Sequence, residues 1–358
     1  TTPTPTSSFC PGRDVAVSER DFDGDGVLNI FDRYPLIHTP GFQEASVYTK
    51  TTLSSGGAHT CAILDDGTVA CWGDNMYGEL GNGGRVSKTT PTTVNNFGGG
   101  KKATAISSGG AHTCAILDSG EVSCWGWGSS GQLGNGGTSD KTTPTLTSSL
   151  GQGRSAIAIS TGVFHTCAIL DDGSVVCWGK GNQGELGDGS QSPADKYVPT
   201  PISNANIPSG RSAVAISSGG THTCALLDDG KVLCWGRYYG STPNSAFTNV
   251  FESGQDVVAL ASGRMHICFL LGNGNVSCTG EGSLGQLGNG NYFDNYFSQP
   301  TPTLGFGQGR HAIALSAGQD HTCALLDNGS AACWGNNDMG QIGNGTTSTY
   351  AAVPSLAS

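Results

Sequence analysis

"HTCAILDDGTVACWG", His59 to Gly73, has the pattern of a β-hairpin. Two short apolar, β-branched runs, "HTCAIL" and "TVACWG", flank the turn signal "DDG". Folding the stretch about Asp66 sets Cys61 opposite Cys71, Ile63 opposite Val69 and His59 opposite Gly73 on one face. On the other face Thr60 meets Trp72 and Ala62 meets Ala70. Both faces are mostly apolar, so the hairpin has to be covered on both sides. Neighbouring blades of a propeller supply such cover.

The hairpin recurs. Its histidine returns as His112, His165, His222, His266 and His321, at spacings of 53, 53, 57, 44 and 55 residues. Each histidine is followed two residues on by a cysteine, with a second cysteine ten residues further along. Five of the six units run on into Trp-Gly, and the fifth has Thr279 in place of the tryptophan. Five carry a loop of the type "GELGNG"; the fourth lacks it, which accounts for its short length. Segments such as "ATAISSGG" predict a strand before each hairpin, and "TPT" or "VPTPI" a strand after the loop. Four strands in about 50 residues suit a propeller blade.

The run "SSGGAHTCAILDDGTVACWGDNMYGELGNG", Ser54 to Gly83, resembles the repeat of the regulator of chromosome condensation family. The resemblance implies a β-propeller, in that family usually of seven blades. The expectation is an all-β chain: a single propeller of six four-stranded blades, alternatively seven, over residues 45–358. Before it come a Thr/Pro-rich stalk, residues 1–20, and a calcium loop with linker, residues 21–44.

Composition agrees with a turn-rich β protein. Glycine is 57 of 358 residues, about twice the usual share of roughly 7%. Only 13% of residues are charged, while 36% are hydrophobic. The net charge of −11 and the scatter of the 17 basic residues exclude nucleic acid and anionic membrane as main partners. No apolar run reaches the roughly 18–20 residues of a membrane-inserting helix. A start at Thr1 without a leader is what a processed product would show.

Six cysteine pairs are cross-strand neighbours in this register: Cys61 with Cys71, Cys114 with Cys124, Cys167 with Cys177, Cys224 with Cys234, Cys268 with Cys278 and Cys323 with Cys333. Cross-strand separation falls within disulfide reach. The pairs are therefore expected to be six disulfides formed in an oxidising compartment. The competing readings are reduced thiols and a zinc set of His59, Cys61 and Cys71, which lacks a fourth ligand. The six histidines are expected to be buried and bonded to backbone between blades, because no serine or carboxylate recurs beside them as a triad would require. The tryptophans are expected to pack between blades. "GWGSSG" from Gly126 and "GKGNQG" from Gly179 match a dinucleotide fingerprint, but no helix follows, so both read as turns.

One stretch, "DFDGDGVLNIFD", carries a ligand pattern. Asp21, Asp23 and Asp25 stand at loop positions 1, 3 and 5, with Gly26 at the bend. The Val27 carbonyl, Asn29 and Asp32 follow at positions 7, 9 and 12. Oxygen ligands at this spacing bind Ca²⁺, and the stretch resembles calcium loops of the thrombospondin type 3 and dockerin kind. Candidate glycosylation sequons begin at Asn275, Asn328 and Asn344, and Cys10 has no partner in the repeat pattern.

The functional expectation is a non-enzymatic, secreted or cell-surface structural protein, stabilised by calcium and disulfides. It would assemble with copies of itself, as a filament or surface layer, through its amino-terminal segment. The alternative is an extracellular protein-binding, inhibitor or adhesion module that uses one propeller face.

Overall fold

In the computed structural model the described residues are 52–190, 194–203, 207–237, 247–248, 256–295, 300–307, 309–347 and 350–357. Two compact units divide the chain, Thr1–Val47 and Tyr48–Ser358. The described residues all belong to the second. The calcium ligands named above, and Cys10, therefore lie outside them.

The second unit is a propeller of six blades. Blade 1 comprises β1 (Leu53–Ser55), β2 (His59–Ile63), β3 (Val69–Gly73) and β4 (Lys88–Thr93). Blade 2 holds β5 (Ala103–Ser108), β6 (His112–Leu117), β7 (Val122–Gly126) and β8 (Lys141–Leu146). Blade 3 holds β9 (Ala156–Thr161), β10 (His165–Leu170), β11 (Val175–Gly179) and β12 (Lys196–Pro201). In blade 4 the strands are β13 (Ala213–Ser218), β14 (His222–Leu227), β15 (Val232–Gly236) and β16 (Phe247–Thr248). Blade 5 has β17 (Val257–Ser262), β18 (His266–Leu271), β19 (Val276–Gly280) and β20 (Thr301–Pro302). Blade 6 has β21 (Ala312–Ala317), β22 (His321–Leu326), β23 (Ala331–Asn336) and β24 (Tyr350–Leu356). Each blade is an antiparallel meander, its strands paired in chain order. Among the described residues no helix is long and apolar enough to cross a membrane.

The hairpin register is the one the alternation dictates. In β2 and β3 the pairs are His59↔Gly73, Thr60↔Trp72, Cys61↔Cys71, Ala62↔Ala70 and Ile63↔Val69. The same five pairings recur in every blade. Cys61 is joined to Cys71, Cys114 to Cys124 and Cys167 to Cys177. Cys224 is joined to Cys234, Cys268 to Cys278 and Cys323 to Cys333. The Cα atoms of each pair stand 4.0–4.1 Å apart. Removing about a hairpin's worth of loop entropy from the unfolded chain stabilises each blade by roughly 2–3 kcal/mol in the chain-entropy account.

The core lies between blades. Ile116 of blade 2 and Trp178 of blade 3 belong to one buried cluster, and Cys167 of blade 3 and Trp235 of blade 4 to the next. In blades 2 to 5 the second strand is buried at every position. The junction between blade 6 and blade 1 differs. Leu325 is 42% exposed, whereas the equivalent Ile116, Ile169, Leu226 and Leu270 are at most 4% exposed. Leu53 and Leu64 of blade 1 are also exposed.

Candidate functional site

The polar residues of the repeat meet between blades. His59 Nε2 lies 2.8 Å from Thr113 Oγ1 of the following blade. His112 pairs in the same way with Thr166, His165 with Thr223 and His266 with Thr322. Thr113 donates its hydroxyl hydrogen to the Glu79 carbonyl, and Thr166 to the Gln132 carbonyl. That hydrogen being spent, the threonine can only accept from the histidine. The imidazole is therefore the neutral Nε2–H tautomer. Burial agrees, holding His112, His165 and His266 at about 3 and His59 and His222 at about 4. The expected histidine–backbone bond is thus corrected: the partner is a threonine hydroxyl, and the backbone carbonyl stands one step further on.

The glycine loop completes this clamp. Trp125 Nε1 donates to the Glu79 carbonyl at 2.7 Å, and Trp178, Trp235 and Trp334 donate to the carbonyls of Gln132, Glu185 and Gln286. Leu80 of the loop is fully buried. Gly81 has a φ of 62°, and a Cβ there would stand 2.8 Å from Trp125 Nε1. The loop is therefore a seat for the next blade's tryptophan, which explains its Glu/Gln-Leu-Gly core. Unit four lacks the loop, and unit five correspondingly has Ile267 for the threonine and Thr279 for the tryptophan. There Ile267 and Phe269 fill the junction with apolar contact. At the junction of blade 6 with blade 1, no bond joins His321 to Thr60 among the described residues, and Trp72 is partly exposed.

These histidines have no free catalytic geometry. What faces solvent is the channel mouth, lined at Gly57, Gly110, Val163, Arg264 and Gln319. Directly after these lining residues in the chain stand the residue before each histidine and, bonded to it, the residue after the glycine that ends the third strand. One backbone hydrogen bond per blade fixes the pair. These bonds are Asp74 N–H to Ala58, Trp127 to Ala111, Lys180 to Phe164, Arg237 to Thr221, Glu281 to Met265 and Asn336 to Asp320, at 2.8–2.9 Å. The flanking histidine and glycine never change, yet the pair is different in all six blades.

The ring these pairs form is chemically divided. Trp127 stacks between Tyr77, at 5.5 Å, and Phe164, at 5.3 Å edge-on. Lys180 Nζ lies 4.8 Å from the centroid of the Phe164 ring. Arg237 Nη1 donates to Gln183 Oε1 at 2.9 Å. Neither cation forms an ion pair among the described residues. On the far side Arg264 is paired with Asp320 at 3.1 Å and reaches Glu281. Sequence reasoning missed this ring, although the signal was there, in the positions where otherwise matching units disagree.

The repeat profile described as "Regulator of chromosome condensation (RCC1) repeat" matches residues 66–116, 119–169, 172–226 and 273–325, more than half of the chain. The chain belongs to the RCC1-repeat family. A second profile of the same description matches residues 51–79, 103–132, 156–185 and 312–341. E3 ubiquitin-protein ligase HERC2 of Homo sapiens is 31% identical over 300 residues, covering 83% of this chain and 5% of HERC2. Ultraviolet-B receptor UVR8 of Arabidopsis thaliana is 33% identical over 186 residues, 52% of this chain and 40% of UVR8. The RCC1-repeat chain thus spans a minor part of these relatives. Human WBSCR16 superposes with a TM-score of 0.75 at 21% identity, covering 88% of this chain and 84% of that one. Yeast RCC1 gives 0.73 at 21%, covering 86% and 74%. At that identity the likeness concerns the fold.

The remaining sequence-predicted residues of this RCC1-repeat propeller are placed as follows. The first cysteines of the hairpins, Cys61, Cys114, Cys167, Cys224, Cys268 and Cys323, are all in disulfides with the second, Cys71, Cys124, Cys177, Cys234, Cys278 and Cys333. None of the twelve is a free thiol, so neither the reduced reading nor the zinc set of His59, Cys61 and Cys71 holds. Among the described residues no group of three His, Cys, Asp or Glu could hold a metal. Asn275 and Asn328 are exposed in the hairpin turns of blades 5 and 6, and Asn344 is partly exposed in the loop of blade 6. Asn328 Oδ1 accepts from the Ser330 hydroxyl, and Asn344 Oδ1 from that of Thr346. Gly126 and Gly131 have φ of 96° and 79°, Gly179 and Gly184 of 103° and 83°. Gly131 and Gly184 lie in turns, while Gly126 and Gly179 end the third strands of blades 2 and 3.

Proposed function

We propose that the chain is a non-catalytic binding module of an oxidising compartment, outside the cell or on its surface, and that the channel mouth is its docking face. The observation that carries this reading is the contrast between the histidine and glycine that recur in all six blades and the residue pair beside them, which changes in every blade. Six hairpin disulfides support the compartment. The histidines support a role without catalysis, since each is held neutral and at least four are spent on a threonine of the next blade. Aromatic and arginine side chains around a concave centre are the residue types that dominate binding energy. The test is a photo-crosslinking phenylalanine analogue placed at Trp127, with an outer control at Tyr197, in cells that produce the chain. Adducts at the mouth and none at the control are expected; equal yields, or none at either position, would reject the docking face.

A second reading is favoured by the amino-terminal sequence. The Thr/Pro tract and the acidic loop suit a connector between copies of the chain, with Ca²⁺ held by Asp21, Asp23, Asp25, Val27, Asn29 and Asp32. Sedimentation of the full chain with and without Ca²⁺, beside a chain deleted of residues 1–44, tests it. A monomer at high concentration in every condition would remove self-assembly, and with it glycan-bearing surface layers or filaments built from this chain.

A further inference from the structure

We infer that the sector of the channel mouth formed by Trp127, Phe164, Lys180 and Arg237 binds an acidic peptide segment anchored by an aromatic side chain. The inference rests on the mouth being a docking face, and adds the chemistry of what docks. Three observations carry it.

The first is the state of the two cations. The chain has a net charge of −11, and Arg154, Arg211 and Arg264 are each paired with two carboxylates. Lys180 and Arg237 stand on neighbouring blades without a carboxylate at ion-pair distance among the described residues. Lys180 rests instead on the face of Phe164 and Arg237 on a neutral amide. Neither is taken up by an ion pair among the described residues, although Lys180 also acts on the buried Glu185 carboxyl from a distance. A guanidinium fork accepts a carboxylate in bidentate fashion, and an ammonium complements it as a point charge.

The second is the aromatic step beside them. Trp127 is held from two sides, by Tyr77 and by Phe164, yet remains partly exposed. A ring fixed this way loses little entropy on binding and offers an edge or face to an aromatic anchor. The third is the opposite sector, where Asp320 and Glu281 already hold Arg264, so its cation is not left for an acidic segment. An acidic segment is therefore drawn to blades 3 and 4, so the division of the ring sets where it lies. Among the described residues of this sector a phosphate polymer finds two cations outside ion pairs, against the net negative charge of the whole chain, and fits less well.

The experiment uses the full, oxidised chain and three synthetic hexapeptides: glutamate alternating with phenylalanine, lysine alternating with phenylalanine, and glutamate alternating with alanine. Calorimetry at low salt is expected to show saturable binding of the first, with Kd below about 1 mM. That binding should weaken by about tenfold or more in Trp127→Ala, and likewise in the double variant of Lys180→Gln and Arg237→Gln. The alanine peptide is expected to bind more weakly than the first and the lysine peptide not at all. These side chains are partly or fully exposed, so unchanged thermal midpoints would show that the variants fold. Equal binding of the lysine peptide, or acidic binding indifferent to the variants, overturns the inference. So does the absence of any peptide binding. If crosslinks at Trp127 persist in either case, the docking face stands and only its acidic ligand is lost.

Discussion

Glu185 shows how one residue can set a pH limb. Its carbonyl receives Thr223 and Trp235 of the next blade, and its side-chain Oε2 accepts the Gln183 N–H. Gln132, Gln286 and Gln341 make the same side-chain bond in three other blades, with a neutral amide. Burial raises the Glu185 carboxyl from 4.5 to about 7, so the folded chain holds a proton that the unfolded chain releases. Its stabilisation is complete below pH 4.5 and fades as pH rises through about 7. The buried histidines act in the opposite sense. Their folded values of about 3 to 4 lie below 6.5, so their contribution is complete above pH 6.5 and fades as pH falls. Glu185→Gln should therefore raise the thermal midpoint over the parent chain more at pH 8 than at pH 5, leaving the acid limb in place. A midpoint difference flat from pH 5 to 8 would mean that Glu185 is ionised in the fold. Little of this is legible in sequence. Glu185 reads as one letter of a loop motif, and Thr223 and Trp235, which bond its carbonyl, lie 38 and 50 positions away on the next blade.

At the scale of the element, the hairpin was legible and the loop was not. Period-two alternation around "DDG" places every cross-strand pair of β2 and β3, because a one-residue slip would turn the cysteines away from each other. The loop's role depends on Thr113 and Trp125 of another blade, so no local pattern reveals it. The chain does hold a signal: the loop, the threonine and the tryptophan disappear together at the junction of blades 4 and 5. The disulfides give an element-scale prediction. Ten of the repeat cysteines, in blades 1 to 5, are wholly buried, whereas Cys333 is 5% exposed and Cys323 more so. A reductant has to reach a sulfur before exchange can begin. Brief treatment with a mild thiol followed by alkylation and mass mapping should label Cys323 and Cys333 first. Uniform labelling of the six pairs, or first labelling in blades 2 to 4 at Cys124, Cys177 or Cys234, would contradict that order.

For the whole molecule, the decisive feature is that repeats equivalent in sequence are not equivalent in place. Unit six carries the full set of marks, His321, Thr322, Cys323, Cys333 and Trp334, and in these marks it matches unit three. Its back face is clamped to blade 5 by His266–Thr322 and Trp334–Gln286, while its front face toward blade 1 lacks the corresponding bonds among the described residues. Count and blade type could thus be read from the repeat, but closure is a property of the sum of blade angles and leaves no trace in any one unit. The energetic consequence can be measured. Leu226 and Leu325 hold the same hairpin position, one 3% and the other 42% exposed. Removing a buried leucine side chain forfeits its transfer free energy and leaves a cavity, costing about 2–5 kcal/mol. A half-exposed leucine has less to lose and opens no cavity, so its removal should cost under about 1 kcal/mol. Leu226→Ala is therefore expected to lower the denaturation midpoint of the oxidised chain strongly, and Leu325→Ala only slightly. Equal losses would show that blade 6 is covered in solution as blade 4 is, with its front face closed against blade 1 or against another surface.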